Sequence, residues 1–287
     1  MESTQSREIP HYWGRESERP GATAEEKAAF DETGFLVRRG LFGPDEIDEI
    51  RSRFMTLASG AAVPGLFEPV DDVDPLRRYP RVMHPHRRPD LPAGEIAMRT
   101  MLDRRIGSTL AALFEEEPAA AQSMFYFKPA GARGQALHQD NFYLRVSPGT
   151  CMAAWIAVDD ADEENGTLMV VPGSHRLDLA CPQKADLTKS FSADYVPVPD
   201  GLRELPVILA AGDTLFFNGS LIHGSYPNTS QGRFRRALIC HYLPRASAEI
   251  GHWYKPIYDF DGNMVDNIDD STGAGPCGGE FAVMGPH

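Results

Sequence analysis

A histidine and an aspartate stand two positions apart in the stretch ALHQDNFYL, residues 136–144. The composition of this stretch predicts a β-strand, and side chains at positions i and i+2 of a strand point to one side. His138 and Asp140 are therefore expected to converge. An imidazole beside a carboxylate suits a borderline divalent cation that takes a third ligand from elsewhere in the fold. The alternative is that Asp140 caps a turn while His138 is a hydrogen-bonded core residue.

The third ligand has several candidates among the other histidines. His223 ends an apolar strand and precedes a glycine that would leave room for a bound molecule, so we predict that it completes the site. His175 follows Pro-Gly, as expected at a turn, and His241 lies late in a strand, while His84 and His86 belong to an irregular loop. Two histidines and a carboxylate can hold non-haem Fe(II) or catalytic zinc, so the triad alone does not choose the metal.

The elements that must position these residues change character along the chain. Residues 61–92 are rich in Pro, Asp and Arg and lack a sustained period, which predicts a long irregular connection of the kind that often covers a site. Around this connection the periodicity predicts helices at 23–34 (with Thr23 as N-cap and Gly34 as stop), 43–60 and 93–116, and a strand at 35–42.

From residue 123 onward, short apolar runs bounded by Gly, Pro, Asp and Asn predict a series of strands. Several short strands with long excursions between them favour an antiparallel sandwich or barrel. We therefore predict one mainly β domain with flanking helices over residues 23–250. A polar arm at 1–22 precedes it, and a C-terminal extension of unknown role at 251–287 follows it.

Composition narrows the functional classes. The chain is 42% hydrophobic and 24% charged, as in soluble globular proteins, and its N-terminus lacks the apolar core of a secretory signal. The formal net charge of −13 disfavours nucleic-acid and membrane partners. The four cysteines lie far apart with no CxxC pair, which argues against a structural zinc site or a disulfide framework and suits the cytoplasm. The oligomeric state is left open.

Four segments resemble successive motifs of the phytanoyl-CoA dioxygenase family: LHQDNFYL, AAWIAVDDADEENGTLMVVPGSHR, GDTLFF and LIHGSYPNTSQGRFRRALICHY. The resemblance covers roughly residues 26–245 and is strongest from 123 onward. It implies a double-stranded β-helix (a cupin-like jelly roll). It also implies an oxygenase that uses Fe(II), O2 and 2-oxoglutarate to hydroxylate or otherwise oxidise a C–H bond of a small molecule, with release of succinate and CO2.

The resemblance also implies roles for individual residues. The metal-binding pair falls on His138 and Asp140, and the distal histidine falls on His223. The arginine that grips the far carboxylate of 2-oxoglutarate falls on Arg235 with a one-residue offset, which leaves Arg233 and Arg236 as alternatives. The remaining matches are contacts to the co-substrate from Met124, Gln139, Trp155 and Ser225, and contacts to the substrate from Lys128 and Asn141.

Two features bear on the reaction and the substrate. Related iron halogenases keep a position open for chloride that Asp140 fills here, so the resemblance implies oxidation without halogenation. The loop RRYPRVMHPHRRPD, residues 77–90, concentrates positive charge in an acidic chain and predicts an anionic substrate, although it could be a solvated basic loop. The residues expected to contact that substrate are Arg78, Arg81, His84 and Arg87.

Two other classes of protein could carry the same triad. A zinc-dependent hydrolase would have no use for 2-oxoglutarate, so a requirement for that co-substrate separates it from an oxygenase. A non-catalytic binding protein on the same scaffold would tolerate loss of the triad, which this sequence retains.

Overall fold

The computed structural model describes residues 21–271 and residue 277, so the predicted arm at 1–22 lies almost wholly outside the described residues. Its α-helices are α1 (Ala24–Thr33), α2 (Pro44–Ser59), α3 (Pro75–Arg78), α4 (Pro92–Met101), α5 (Arg104–Phe114) and α6 (Asn141–Leu144). Short 3-10 helices occur at Pro85–Arg87, Ser174–Arg176 and His252–Tyr254. No helix of the described ranges is long and apolar enough to cross a membrane.

The remaining regular secondary structure of the described residues is β-strand. The strands are β1 (Phe35–Arg38), β2 (Val82–Met83), β3 (Pro118–Tyr126), β4 (Gln135–His138), β5 (Met152–Ala157), β6 (Leu168–Val170), β7 (Gln183–Lys184), β8 (Asp194–Tyr195), β9 (Leu205–Pro206), β10 (Thr214–Asn218), β11 (His223–Ser225), β12 (Ala237–Pro244), β13 (Glu249–Ile250), β14 (Ile257–Tyr258), β15 (Met264–Val265) and β16 (Asp269–Asp270).

Two antiparallel sheets form the body of the molecule. The larger has the order β1-β10-β5-β12-β3-β14-β15, with β2 pairing with β3, and the smaller has the order β4-β11-β6-β9. Except for the pairs β2–β3 and β14–β15, neighbouring strands in each sheet are not consecutive in sequence, as in β12 between β5 and β3. Short β7–β8 and β13–β16 ladders lie outside both sheets. The mainly antiparallel β architecture expected from the sequence is therefore present.

The larger sheet buries both of its faces, because successive side chains of each strand point in opposite directions. On β12, Leu238 and Cys240 join a hydrophobic cluster formed with helices α2, α4 and α5. Ala237 and Ile239 point the other way, into a second cluster that includes Leu168 of the smaller sheet. The larger sheet thus lies between a helical layer and the smaller sheet, and the second face is where a site can be enclosed.

The caps predicted for the first helix are confirmed. The Thr23 side chain accepts from the backbone N–H of Glu26, whose own carboxylate accepts from the backbone N–H of Thr23. Gly34 ends the helix at φ 86°, in the left-handed region that glycine adopts without strain. The helix predicted at 93–116 is instead two helices, because the Asp103 carboxylate accepts from the backbone N–H of Arg105 and starts a new helix there.

The strand predicted over residues 136–144 is wrong beyond His138. The backbone of Asp140 is α-helical (φ −62°, ψ −37°), and its carbonyl accepts from the N–H groups of Tyr143 and Leu144. The Asn141 side chain closes this turn by accepting from the backbone N–H of Val146 at 3.0 Å. The spacing argument from a strand therefore fails, and Asp140 reaches its place from a helical turn.

The cysteines and the C-terminal segment add two findings. Cys181 and Cys277 form a disulfide across 96 positions, so the expectation of unpaired cysteines is wrong for this pair, while Cys151 and Cys240 are free and buried. Within the segment 251–271, β14 pairs with β3 and β15 with β14, which extends the larger sheet. The predicted domain boundary at residue 250 stays a prediction.

The contact between the helical layer and the larger sheet generates a stability prediction. Phe54 is fully buried, and its ring stacks on that of Phe125 with centroids 3.8 Å apart. Phe54→Ala should lower the free energy of unfolding by about 3–5 kcal/mol, because burial is lost and a cavity remains. Urea denaturation measures this, with Val73→Ala at a fully exposed position as the control. A loss below about 1 kcal/mol would show that the layer does not depend on this contact.

Candidate active site

The three predicted ligands meet in the interior, where the smaller sheet faces the larger one. His138 is the last residue of β4 and His223 the first of β11, and these two residues are directly paired across the sheet. Asp140 lies two residues beyond the end of β4, at the start of α6. All three are buried, and one potential ligand atom from each lies within 4.8 Å of the others. The structure thus brings together the residues that the sequence singled out.

Hydrogen bonds select which imidazole nitrogens face the centre of this group. His138 Nδ1 lies 2.8 Å from the Ala136 carbonyl oxygen, and His223 Nδ1 lies 2.9 Å from the Leu221 carbonyl oxygen. Since a carbonyl can only accept, each Nδ1 carries the proton and each Nε2 keeps a lone pair. The Asp140 Oδ1 atom lies 3.4 Å from Nε2 of His138 and 3.5 Å from Nε2 of His223.

His241 was an alternative candidate for the third ligand, but in the structure it contacts the Asp140 carboxylate. Its Nε2 lies 2.9 Å from Asp140 Oδ2, on the carboxylate oxygen that faces away from the other two histidines. The Asp140 carboxylate therefore presents Oδ1 to the centre of the three-residue group, while His241 fixes the position of Oδ2. His175 does not join the group, because its Nε2 contacts the backbone carbonyl of Asp31.

The electrostatics of the group suit a cation. Burial by itself raises the pKa of Asp140, but the neighbouring His223 and His241 and the hydrogen bond from His241 hold that pKa well below its ordinary value. Burial lowers the pKa of His223 to about 4, so its imidazole is neutral near pH 7. Imidazole nitrogens with free lone pairs and an ionised carboxylate are the donor set of a divalent metal site, and the residues present fit one.

Gly224 lines the cavity, as the prediction that it leaves room for a bound molecule requires, and it also has a second role. A Cβ atom at this position would lie 2.7 Å from the carbonyl oxygen of Gln135, on the neighbouring strand β4. The glycine thus lets β4 and β11 approach closely, and that approach sets the spacing of His138 and His223. It serves the strand pair more directly than it serves a bound molecule.

Arg235 is the only one of the three candidate arginines that reaches the interior. It is 1% exposed, its Nε donates to the Gly166 carbonyl oxygen at 3.0 Å, and its guanidinium lies 5.1 Å from the Trp155 ring centroid. Its Nη1 has no hydrogen-bond partner within the described residues. Burial lowers the pKa of Arg235 to about 10, so it stays charged near neutral pH. Arg233 and Arg236 form ion pairs with Asp162 and Asp159 near the surface.

One cavity, partly open to solvent, joins the triad to Arg235. Its lining includes the predicted Met124, Trp155 and Ser225, and sequence reasoning missed five further residues. Alternation along the strands could have found several of them, because Tyr126 follows Met124 by two positions and Ile239 precedes His241 by two. The five missed residues are Tyr126, Gln135, Leu168, Phe217 and Ile239.

Three predicted contacts do not line the cavity. The Gln139 side chain is occupied by two backbone groups, donating to Ser220 and accepting from Ala180. The Asn141 side chain closes the α6 turn, and the Lys128 ammonium lies behind the cavity wall, 2.8 Å from Ser225 Oγ.

Three of the five arginines in the basic loop lie within 4.0 Å of an aspartate. Arg78 is exposed and lies 3.9 Å from Asp71, and Arg87 donates to the backbone carbonyl of Trp253. His84 is buried at φ 51°, with neither ring nitrogen hydrogen-bonded among the described residues. Arg81 differs from these residues, because its Nη1 donates to the hydroxyl of the cavity-lining Tyr126 at 3.2 Å. Of the four predicted contacts in this loop, Arg81 is the one placed beside the cavity.

The geometry of the triad predicts which histidines matter for metal binding. His223→Ala should weaken divalent-metal binding by at least about a hundredfold, since loss of residues that merely orient ligands already costs about 10–100-fold. Calorimetric titration with Ni(II), a redox-inert substitute, measures this. His175→Ala is the matched control and should bind as the parent does. A loss of binding in the His175 variant, with retention in the His223 variant, would contradict the assignment.

Comparison with known proteins agrees with this site. Residues 30–237 match the family model of phytanoyl-CoA dioxygenase (PhyH). A phytanoyl-CoA dioxygenase of Oryza sativa is 33% identical over 145 residues, 50% of this chain and 51% of the rice protein. The peroxisomal phytanoyl-CoA dioxygenase of Mus musculus is 28% identical over 230 residues, 77% of this chain and 68% of the mouse protein.

The fold also matches a solved structure. The crystal structure of HygX from Streptomyces hygroscopicus, with nickel and 2-oxoglutarate bound, superposes with a TM-score of 0.58 at 21% identity, covering 78% of this chain and 88% of HygX. This match confirms the predicted jelly-roll fold. The family match and the His-Asp-His group confirm, at the level of the family, the predicted enzyme class and the predicted cofactors Fe(II), 2-oxoglutarate and O2. This chain belongs to the phytanoyl-CoA dioxygenase family.

Proposed function

We propose that this protein is a hydroxylase that oxidises an unactivated C–H bond of a small molecule, with His138, Asp140 and His223 holding Fe(II). One observation carries the proposal: two Nε2 lone pairs and one carboxylate oxygen converge in a cavity that also contains a buried, incompletely paired guanidinium. A metal site beside a fixed positive charge is what a chelating dicarboxylate such as 2-oxoglutarate requires.

When bound, iron and 2-oxoglutarate would supply the oxidation, in which one oxygen atom of O2 would enter succinate as CO2 is released and the other would pass to the substrate. The chain contributes position and environment. Asp140 and the two imidazoles offer three ligand atoms from one side, which leaves the other side to the co-substrate. Leu168, Phe217 and Ile239 give the cavity apolar walls that keep water from the reacting centre.

We further propose that Arg235 binds the distal carboxylate of 2-oxoglutarate, with Ser225, Met124 and Trp155 beside it. The Gly166 carbonyl fixes one edge of the guanidinium and leaves Nη1 available toward the cavity. Trp155 covers the guanidinium face and limits its hydration. A carboxylate that enters here meets a desolvated, pre-oriented donor.

This assignment predicts a specific loss of co-substrate binding. Arg235→Gln should weaken 2-oxoglutarate binding to the Ni(II)-loaded protein by about 2–5 kcal/mol, because the buried carboxylate loses its counter-charge. Anaerobic calorimetry measures this loss. Arg233→Gln and Arg236→Gln are the controls, since both arginines already pair with aspartates. If either control shows the large loss and the Arg235 variant does not, the one-residue offset was placed wrongly.

The reaction itself is tested by product analysis. Fe(II)-loaded protein with 2-oxoglutarate and a panel of metabolites should form succinate above the background seen without a prime substrate. Mass spectrometry should then find an oxygenated or desaturated product even in high chloride, because Asp140 occupies the ligand position that chloride would need. A chlorinated major product, or turnover that needs zinc and no 2-oxoglutarate, would contradict the proposal.

For the substrate, we propose an anionic group such as a carboxylate, phosphate or phosphonate, and we narrow the predicted basic loop to Arg81. Its guanidinium lies 4.9 Å from the Phe191 ring centroid and bonds to Tyr126, with no acidic partner in the described ranges. A cation held against two aromatic rings beside the cavity can meet an anion inside it. The predicted cytoplasmic location stays a prediction.

The anion that contacts Arg81 could belong to the substrate or to 2-oxoglutarate, and one variant distinguishes these two cases. Arg81→Gln should raise the Michaelis constant of the substrate about tenfold if a substrate anion contacts Arg81, and that of 2-oxoglutarate if the co-substrate does. Arg78→Gln, at an exposed arginine already near Asp71, is the control. Unchanged constants for both ligands in the Arg81 variant would remove this residue from the site.

A further inference from the structure

Lys128 is buried in an unusual backbone conformation directly behind the cavity wall. It is 2% exposed and has φ 41°, in the left-handed region that residues other than glycine seldom adopt. Its carbonyl oxygen accepts from the backbone N–H of Arg235 and from Asn228 Nδ2, each at 3.0 Å. The fold therefore maintains a strained residue at this position by tying it to the segment that carries Arg235.

The lysine stem reaches its place past a glycine. A Cβ atom at Gly166 would lie 2.5 Å from Lys128 Cε, so a larger residue would displace the stem. The carbonyl of the same glycine accepts from Arg235 Nε. Gly166 thus positions both cations, one by leaving space and the other by a hydrogen bond.

The ammonium of Lys128 ends at the hydroxyl of Ser225. Nζ lies 2.8 Å from Ser225 Oγ, and the backbone N–H of Gln135 donates to the same oxygen at 3.2 Å. A serine hydroxyl has two acceptor sites and one donor proton. Since both acceptor sites are occupied, the Ser225 hydroxyl has only its proton left to offer, and Ser225 lines the cavity together with Arg235.

The positive charges of Lys128 and Arg235 at this wall favour the binding of an anion. Lys128 has no acidic partner within the described residues, and the charged group that acts on it is Arg235. Burial, with a smaller contribution from Arg235, holds the pKa of Lys128 well below its ordinary value. A carboxylate in the cavity would offset both positive charges and favour the ammonium form.

We propose that Lys128 is a positioning residue for the co-substrate: by occupying an acceptor site of Ser225 Oγ, it makes the Ser225 hydroxyl donate, beside Arg235, to the distal carboxylate of 2-oxoglutarate. This inference rests on the proposed function and deepens it. It replaces the predicted role of Lys128 as a substrate contact, because its ammonium lies behind Ser225 and outside the cavity lining.

The two donors should also make the site select a carboxylate over a carboxamide at the distal end of the co-substrate. With Ser225 and Arg235 both acting as donors, the group between them must be an acceptor on both sides, as a carboxylate is. A carboxamide at the same end would place an N–H against one of these donors. The wall should therefore prefer 2-oxoglutarate to its 5-carboxamide analogue beyond the effect of charge alone.

A double-mutant cycle tests the role of Lys128. 2-Oxoglutarate is titrated calorimetrically into the Ni(II)-loaded parent, Lys128→Met, Ser225→Ala and the double variant, with methionine keeping the apolar stem and removing the donor. Each single variant should bind about tenfold more weakly, and the double variant should bind no more weakly than Ser225→Ala alone. Lys255→Met, at a half-exposed lysine paired with Asp270, is the matched control.

The outcomes separate the two proposals. Effects that multiply in the double variant, or an unchanged affinity in Lys128→Met, would overturn the role of Lys128. A parent protein that binds Ni(II) but not 2-oxoglutarate would overturn the proposed function, and the role of Lys128 with it.

A second measurement does not depend on the folding of the Lys128 variant. The preference for 2-oxoglutarate over its 5-carboxamide analogue is compared between the parent and Ser225→Ala. The preference should fall several-fold in the variant, because removal of the hydroxyl removes one of the two enforced donors. An equal preference in both proteins would show that Ser225 is not held as a donor and would overturn the inference.

Discussion

The Asp140 carboxylate is shared by three imidazoles, and the arrangement of the interior depends on this contact. His241 holds Oδ2 at 2.9 Å, and Oδ1 lies between Nε2 of His138 and Nε2 of His223. A buried carboxylate is costly unless it is paired and hydrogen-bonded. Here His241, which satisfies Oδ2, also leaves Oδ1 directed to the metal position. Stabilising the charge and orienting the ligand are therefore one interaction.

The two sheets bring these groups together from distant parts of the chain. The close approach of β4 and β11 at Gly224 sets His138 opposite His223, whereas His241 comes from β12 of the larger sheet. The inward face of β12 continues through Ile239 to Arg235, just before the strand begins. Strand β12 thus carries His241, which orients the ligand Asp140. Arg235, the proposed partner of the co-substrate carboxylate, lies just before the other end of the same strand.

Residue types and their order were sufficient to predict much of this site. The His138, Asp140 and His223 set could be named because few residues have the required chemistry and each lies near a recognisable strand, whereas Arg235 was named through the resemblance to the family. The helix caps at Thr23 and Gly34 could be predicted because they depend only on neighbours in sequence. These predictions required no knowledge of how distant segments pack.

What could not be predicted depends on tertiary contacts. Asp140 leaves the strand because Asn141 closes a turn with Val146, and the Gln139 side chain turns away from the cavity because two loop backbone groups occupy it. The direction of Lys128 follows from its backbone ties to Arg235 and Asn228. The Cys181–Cys277 pair spans 96 positions without any spacing motif.

The most direct test of the central claim is a crystal structure of the protein with Ni(II) and 2-oxoglutarate. The account predicts the metal on Nε2 of His138, Nε2 of His223 and one carboxylate oxygen of Asp140, with the other oxygen still held by His241. It also predicts the distal carboxylate of 2-oxoglutarate on Arg235 and Ser225. A metal bound without Asp140, or a co-substrate whose distal carboxylate avoids Arg235, would contradict it.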